Sequence, residues 1–390
     1  MIKNSASVSV FQWLLFIVIS LSLVALPMSS AQAVSSMPEP SWQAIVSDGF
    51  GDANNTDISA LEEFKGKLYA EATNYFDGAT IWRSANGKTW TQVTAPGFDS
   101  AYGANNPFVF DMVVFKGKLY AGTGHWEGSP SAGQIWRSAN GTDWSLVAAD
   151  GLGNPNNFGF TTFASFKGML YVAALNRMDG IEIWRSKTGN DGSWEQVAAQ
   201  GLGGGAPYFI VTTLMEFKGQ LYAGVEATLG TGAQVWRSSN GVDWTLVSDN
   251  GFGESDNYQT GGSAVHRGQL YMTTRNDVTG AQLWRSKNGV TWVQVVGDGF
   301  GDSNNVKIES LTTYANDLYA VTNNPLDNPV TGAKVWRSTD GVNWTQINED
   351  GFGNSNTFCG LWSNGTVIFQ GNYLTGCSGP NGGTIWELQR

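Results

Sequence analysis

The tripeptide Trp-Arg-Ser governs how this chain can fold. It begins at Trp82, Trp136, Trp184, Trp236, Trp284 and Trp336, and a degenerate copy, Ile385-Trp386-Glu387, lies near the end. Successive copies stand 48 to 54 residues apart. Self-similarity at such a period marks solenoids, propellers and arrays, and overrides the usual inference from length to domain number. Upstream of each copy is a Lys-Gly-x-Leu-Tyr-like string, with tyrosines at 69, 120, 171, 222, 271 and 319 and Ile368 in the last place. Downstream come a polar turn and a second tryptophan: Trp90, Trp144, Trp194, Trp244, Trp292 and Trp344.

The missing copy of that second tryptophan lies at the other end of the chain. Ser41-Trp42-Gln43-Ala44-Ile45-Val46-Ser47-Asp48-Gly49-Phe50-Gly51 parallels the segment from Asp243 to Gly253 almost residue for residue. The repeat thus opens with the last strand of a unit and closes one strand short. A closed ring needs that offset, whereas an open solenoid needs capping repeats. Each unit reads as four short strands; in the first, A spans 57–64, B 67–74, C 80–84 and D 89–94. Asn86-Gly87 and its copies at 140, 240 and 288, with Asp340-Gly341, predict type I′ turns between C and D, because both central positions of that turn take positive φ. The expected fold is all-β: a seven-bladed β-propeller of four-stranded blades, its last blade closed by the N-terminal strand. The recurring aromatics and the arginines after each Trp are expected to serve packing and turn anchoring.

Residues 1–33 differ from the rest. Lys3 is the only charge before Glu39, Trp13 to Leu26 is almost wholly apolar, and Ala31-Gln32-Ala33 follows. These are the parts of a secretory signal peptide, so the expected mature chain is one domain, 34–390, secreted to an extracellular or periplasmic space. The apolar run falls short of the roughly 20 residues a membrane span needs, and no other stretch reads as a span. Cys359 and Cys377 are the only cysteines; in an oxidising compartment they predict one disulfide. The formal charge of −11 leaves no basic surface for a polyanion, which excludes nucleic acid as the expected partner. A monomer is expected.

The C–D hairpins resemble the Asp-box (BNR) turn of sialidase-type propellers, Ser-x-Asp-x-Gly-x-Thr-Trp. The strings Ser84-Ala85-Asn86-Gly87-Lys88-Thr89-Trp90 and Ser338-Thr339-Asp340-Gly341-Val342-Asn343-Trp344 carry the likeness. They lack one residue before the glycine and mostly have Asn for Asp; the copy from Ser186 to Trp194 is two residues longer. The unit is also similar to a kelch repeat in its Leu-Tyr strand and spaced tryptophans, without the kelch Gly-Gly pair. The resemblance implies a propeller from about Trp42 to Arg390. It implies, for a sialidase, a three-arginine carboxylate clamp; outside the repeat only Arg177, Arg267, Arg275 and Arg390 remain, with Arg267 in an A–B turn, so no sialidase site is expected. His125 and His266 lack metal-ligand spacing, and no catalytic set is assigned.

Two residue groups carry the functional expectation. Non-repeating B–C loops hold His125, Trp126, Glu127, Arg177, Asp179, Glu226, Arg275, Asn276 and Asn324, a mixture of aromatic, carboxylate and amide groups suited to a sugar or a protein partner. D–A loops on the same face hold the polar ring Asn55, Asn106, Asn157, Asn257 and Asn305. Asparagine there serves Asx-turns or, alternatively, sugar hydroxyls or Ca²⁺, although Ca²⁺ wants more carboxylates than the ring offers. No other cofactor is expected. The leading expectation is a secreted binding module for a glycan or protein partner. A carbohydrate-active, glycoside-hydrolase-like enzyme is the alternative, and a structural envelope or matrix component stands third. Arg177 and Arg275 discriminate: both beside Glu226 favours the enzyme, both in solvent favours binding.

Overall fold

A computed structural model describes residues 41–98, 106–125, 132–199, 201–202, 210–228, 230–324, 331–359, 369–370 and 372–389. The expected signal region 1–33, with Trp126 and Glu127, lies outside them. The described chain is all-β, interrupted only by single helical turns such as Gly49–Gly51 and Asp298–Gly301. Among the described residues no helix is long and apolar enough to cross a membrane.

Four-stranded antiparallel modules follow one another along the chain. In module 1 the inner strand A comes in two pieces, Asn55–Asp57 and Leu61–Phe64, followed by Lys67–Asn74 (B), Thr80–Ser84 (C) and Trp90–Gln92 (D). Module 2 begins at Phe108–Phe115, module 3 at Gly159–Phe166, module 4 at Ile210–Phe217, module 5 at Gln259–His266 and module 6 at Lys307–Tyr314. The last module has Phe358–Cys359, Tyr373–Gly379 and Gly382–Gln389, and its outer strand is Ser41–Val46, paired in the register Trp42↔Leu388 and Ala44↔Trp386. The inner strands of modules 2, 3, 4 and 6 each carry a register shift near the same point, Val109/Asp111, Phe160/Thr162, Val211/Thr213 and Ile308/Ser310. A bulge there turns side chains out of the sheet's alternation.

Turn chemistry differs from the sequence expectation. Of the Asn-Gly pairs between C and D, only the glycines take positive φ: 72° at Gly87, 80° at Gly141, 75° at Gly241 and 73° at Gly289. The asparagine instead caps the turn with its side chain; Asn240 Oδ1 accepts the N–H groups of Val242 and Asp243, both at 2.9 Å. The paired positive φ of a type I′ turn occurs between A and B, at Lys65-Gly66 (51°, 70°), Lys116-Gly117 (48°, 72°) and their copies. Asparagine can satisfy the turn from its side chain, whereas lysine must do so through its backbone.

Modules are held to one another by aromatic packing. Where a phenylalanine follows strand D, it stacks on the first tryptophan of the following module and meets the second edge to face. Phe50 lies 4.6 Å from Trp82 and 5.6 Å from Trp90; Phe300 lies 4.4 Å from Trp336 and 5.5 Å from Trp344. Phe352 does the same with Trp386 (4.3 Å) and Trp42 (5.6 Å), so the segment from the far end of the chain supplies the last module's missing tryptophan. The tyrosines on strand B are buried. Each such ring removes about 150–250 Å² from water, which accounts for the repetition. The A–B lysines add a polar latch: Lys65 Nζ donates to Ala139 O at 2.8 Å and Lys167 Nζ to Ser239 O at 2.6 Å, one module on. Cys359 and Cys377 are directly opposed on neighbouring strands and form a disulfide.

Candidate functional site

The B–C and D–A loops meet where inner strands begin. At this edge the modules are joined by single paired positions, and through modules 4 to 6 the joins are continuous. Glu226 pairs with Gln259, Gln259 with Arg275, Arg275 with Lys307, and Lys307 with Asn323. Residues far apart in sequence thus form one row across three modules: carboxylate, amide, guanidinium, ammonium, amide.

Each charge in the row has a fixed partner. Gln259 Nε2 donates to Glu226 Oε2 at 2.7 Å. Arg275 Nε donates to Asp277 Oδ1 at 3.0 Å, and its guanidinium lies 5.3 Å from the Tyr258 ring centroid. Tyr258 donates its hydroxyl to Asp277 Oδ2 at 2.8 Å, and burial holds its phenol above the ordinary range. Lys307 Nζ contacts Glu309 Oε2 at 2.5 Å, and Asn323 Nδ2 donates to Glu309 Oε1 at 3.2 Å. Glu309 sits at the module 6 bulge; burial raises its carboxyl, against the opposing pull of Lys307. Charges locked by neighbours in a half-dry site are preorganised for a polar ligand.

The other half of the same edge is apolar. Phe108, Phe110, Leu175 and Ile210 form one buried cluster with Tyr75 packed against it. Tyr75 meets Phe108 edge to face at 5.3 Å.

The sequence candidates separate into groups. Glu226 and Arg275 join the row; Arg177 does not, being exposed on a module 3 turn, so the arginine criterion splits. Asp179, on that same turn, is held below the usual carboxylate range by hydrogen bonds from Asn156 (2.8 Å) and Asn154 (3.2 Å). His125 is buried, and burial pushes its imidazole down to about 4, so it is neutral at pH 7. Asn276 and Asn324 are buried. Asn276 Nδ2 donates to Asn257 Oδ1 at 3.0 Å and Asn324 Nδ2 to Thr331 Oγ1 at 2.9 Å.

The polar ring is not a surface. Asn55, Asn106, Asn157, Asn257 and Asn305 are all buried. Their Nδ2 atoms donate to the carbonyls of Gly49, Gly97, Gly151, Gly251 and Gly299, at 2.7 to 3.0 Å. They clamp the turns that carry Phe50, Phe98, Leu152, Phe252 and Phe300 and spend their amides on the fold. Among the described residues no group of three or more His, Cys, Asp or Glu could hold a metal ion. Three clefts of about 510, 540 and 480 Å³ lie beside the stacked pairs Phe352–Trp386, Phe50–Trp82 and Phe252–Trp284, the second lined also by Asn55, Asn74, Asp77 and Gly78 of the loop-rich edge. Their recurrence makes them by-products of module packing.

Sequence reasoning passed over Gln259, Lys307 and Glu309. They sit on inner strands and read as core until the cross-module pairing is known.

No protein-family model matches the chain, and no curated protein does. Solved structures do. The GH74 xyloglucanase of Xanthomonas campestris superposes with a TM-score of 0.52 at 18% identity, over 79% of this chain and 46% of that one. A GH74 enzyme of Niastella koreensis gives 0.53 at 15% identity, over 78% and 46%. The chain spans about half the length of each. At these identities the likeness is one of fold: an all-β, propeller-type arrangement whose neighbours are carbohydrate-active glycoside hydrolases.

Proposed function

We propose that this chain is an exported, carbohydrate-active propeller of seven blades that takes a glycan across the B–C face, over the row from Glu226 to Lys307. The observation that carries the reading is the continuity of that row, which places carboxylate, amide and cationic groups on adjacent strands at a loop-rich edge. The seven-blade count rests on the tryptophan series and on the Trp42↔Leu388 pairing. A disulfide fits an oxidising compartment, as the expected signal at 1–33 requires. The fold likeness to glycoside hydrolases favours turnover over a purely structural role, although a fold hosts many functions.

Hydrolysis needs an acid and a base flanking the glycosidic bond. In this reading Glu226 and Glu309 are that pair, with Lys307 Nζ and Asn323 Nδ2 holding the two oxygens of Glu309. Their strands are separated by about three strand spacings, roughly 14 Å between backbones. An inverting pair spans roughly 6.5–9.5 Å, so this reading requires the two side chains to close the gap from opposite ends of the row.

A binding module without turnover is the second reading, favoured by the internal pairing of every charge in the row. Reducing-end release from a polysaccharide panel, with affinity electrophoresis on the same polymers, separates the two. Turnover lost in both Glu226→Gln and Glu309→Gln, with binding kept, supports the hydrolase. Binding by the wild type without turnover supports the module. Neither binding nor turnover on any polymer overturns the glycan reading.

A further inference from the structure

Three B–C turns share one design, and it recurs in every second module. Asn74-Tyr75-Phe76-Asp77-Gly78, Asn176-Arg177-Met178-Asp179-Gly180 and Asn276-Asp277-Val278-Thr279-Gly280 belong to modules 1, 3 and 5. In each the asparagine Oδ1 accepts the N–H groups two and three residues on, at 2.7 to 3.0 Å. Its Nδ2 donates to the buried D–A asparagine of the same module: Asn55, Asn157 or Asn257. The glycine closes the turn at φ 97°, 88° or 92°. The turn is therefore anchored from below and braced from within.

What this scaffold presents is apolar. Phe76 is 69% exposed, Met178 66% and Val278 68%, well above the other exposed large hydrophobics among the described residues. A single exposed apolar side chain is ordinary. Three at one turn position, each on a braced loop, are not explained by folding, since none buries surface or caps a strand. Asp77 and Asp179 flank two of the tips, and Asp277 precedes the third.

We propose that Phe76, Met178 and Val278 form a three-point platform on which a neutral, extended polysaccharide rests. The inference depends on the glycan reading above and narrows its substrate class. Apolar tips pack on the C–H faces of sugar rings, and neighbouring carboxylates accept their hydroxyls; such a mixture of apolar area with a few placed polar groups is what ligand sites use. Rigid tips avoid an ordering cost on binding. Charge sets the class. The chain carries −11, and at the tips Asp77, Asp179 and Asp277 stand against Arg177 and Arg275, of which Arg275 is ion-paired to Asp277. An acidic polymer meets net repulsion here, and so does an anionic lipid surface.

The test is affinity electrophoresis of the full exported chain through gels of hydroxyethylcellulose, xyloglucan and galactomannan, and of carboxymethylcellulose and polygalacturonate. Sedimentation with phosphatidylglycerol vesicles accompanies it. The comparison protein carries Phe76→Ser, Met178→Ser and Val278→Ser together, and its melting temperature is measured alongside. The expected result is retardation by at least one neutral polymer and by neither anionic one. The triple variant should bind at least about tenfold more weakly with an unchanged melting temperature. Retention on anionic polymers only, binding to vesicles, or undiminished retention of the triple variant overturns the platform while leaving the glycan reading in place. No retention on any polymer, with no turnover, overturns both.

Discussion

The phenol ring of Tyr373, in the last module, rests on Gly87, in the C–D turn of the first, so closely that a Cβ on that glycine would overlap it. The same contact joins Tyr69 to Gly141, Tyr120 to Gly189, Tyr171 to Gly241, Tyr222 to Gly289 and Tyr271 to Gly341. Each tyrosine reaches the turn of the next module, and Tyr373 rather than Ile368 fills the seventh place of the series and joins the last module to the first. Gly66 provides the control: its φ of 70° is nearly that of Gly87 (72°), but nothing lies within 4 Å of its Cβ position. Gly66→Ala should therefore cost only the left-handed backbone penalty, about 1 kcal/mol. Gly87→Ala adds a clash and should cost roughly 1–3 kcal/mol more. Urea unfolding of the two variants checks this; equal losses would mean that the closing contact contributes nothing.

The D–A asparagines should differ in stability according to their hydrogen bonds. Asn257 donates to Gly251 O and Gln282 Oε1, both at 2.8 Å, and accepts from Asn276 Nδ2 at 3.0 Å. Asn305 donates to Gly299 O at 2.8 Å, while its buried Oδ1 has no partner among the described residues. Asn257→Ala strands several buried polar groups at about 1–3 kcal/mol each; Asn305→Ala strands one and removes an orphan. Thermal melts should show a fall for Asn257→Ala at least twice that for Asn305→Ala.

Reading the sequence by modules recovered what repeats and missed what crosses modules. The Trp42 match to Trp244 gave the closing strand, because a strand's partner copies are visible in the repeat itself. The cysteine pair gave the disulfide. Asparagine in a Gly-rich loop suits an Asx-turn or, alternatively, a ligand; only the bonds to Gly49, Gly151 and their equivalents show those amides to be buried clamps. The row from Glu226 to Lys307 exists only through pairings between modules, which the strand pattern of one module does not contain. The tips Phe76, Met178 and Val278 were hidden for a different reason: their turn recurs in alternate modules, at twice the period being compared.

The disulfide should stabilise the module whose outer strand is Ser41–Val46, from the far end of the sequence. Cys359 and Cys377 close an 18-residue separation, which the chain-entropy account values at roughly 3 kcal/mol. The bridge joins Phe358–Cys359 to Tyr373–Gly379, two neighbouring strands of that module. Reduction, or Cys359→Ser with Cys377→Ser, should lower the melting temperature by several degrees. A melt unchanged by reductant, with mass spectrometry confirming both thiols free, would show that the strand pairing holds without the bridge.

Stability should fall as pH rises from about 4.5 to about 8, and Glu62 should account for part of that slope. Glu62 lies on the inner strand of module 1, where burial, and then the nearby charges of Asp111 and Glu63, push its carboxyl from 4.5 up to about 8. The unfolded chain titrates near the lower value. Below about 4.5 the group is neutral in both states and imposes no cost. Between the two values the folded state keeps a proton that the unfolded state has released, so raising the pH favours unfolding. Above about 8 the group is ionised in both states and the loss is complete. Asp111, pushed by burial up to about 7, adds a parallel loss over a narrower window. Glu62→Gln mimics the protonated carboxyl and should flatten the curve, leaving the variant more stable than the wild type at pH 8 and similar at pH 4. Urea midpoints measured every half pH unit test this, and an unchanged slope in Glu62→Gln would show that Glu62 is ionised in the fold at ordinary carboxylate pH.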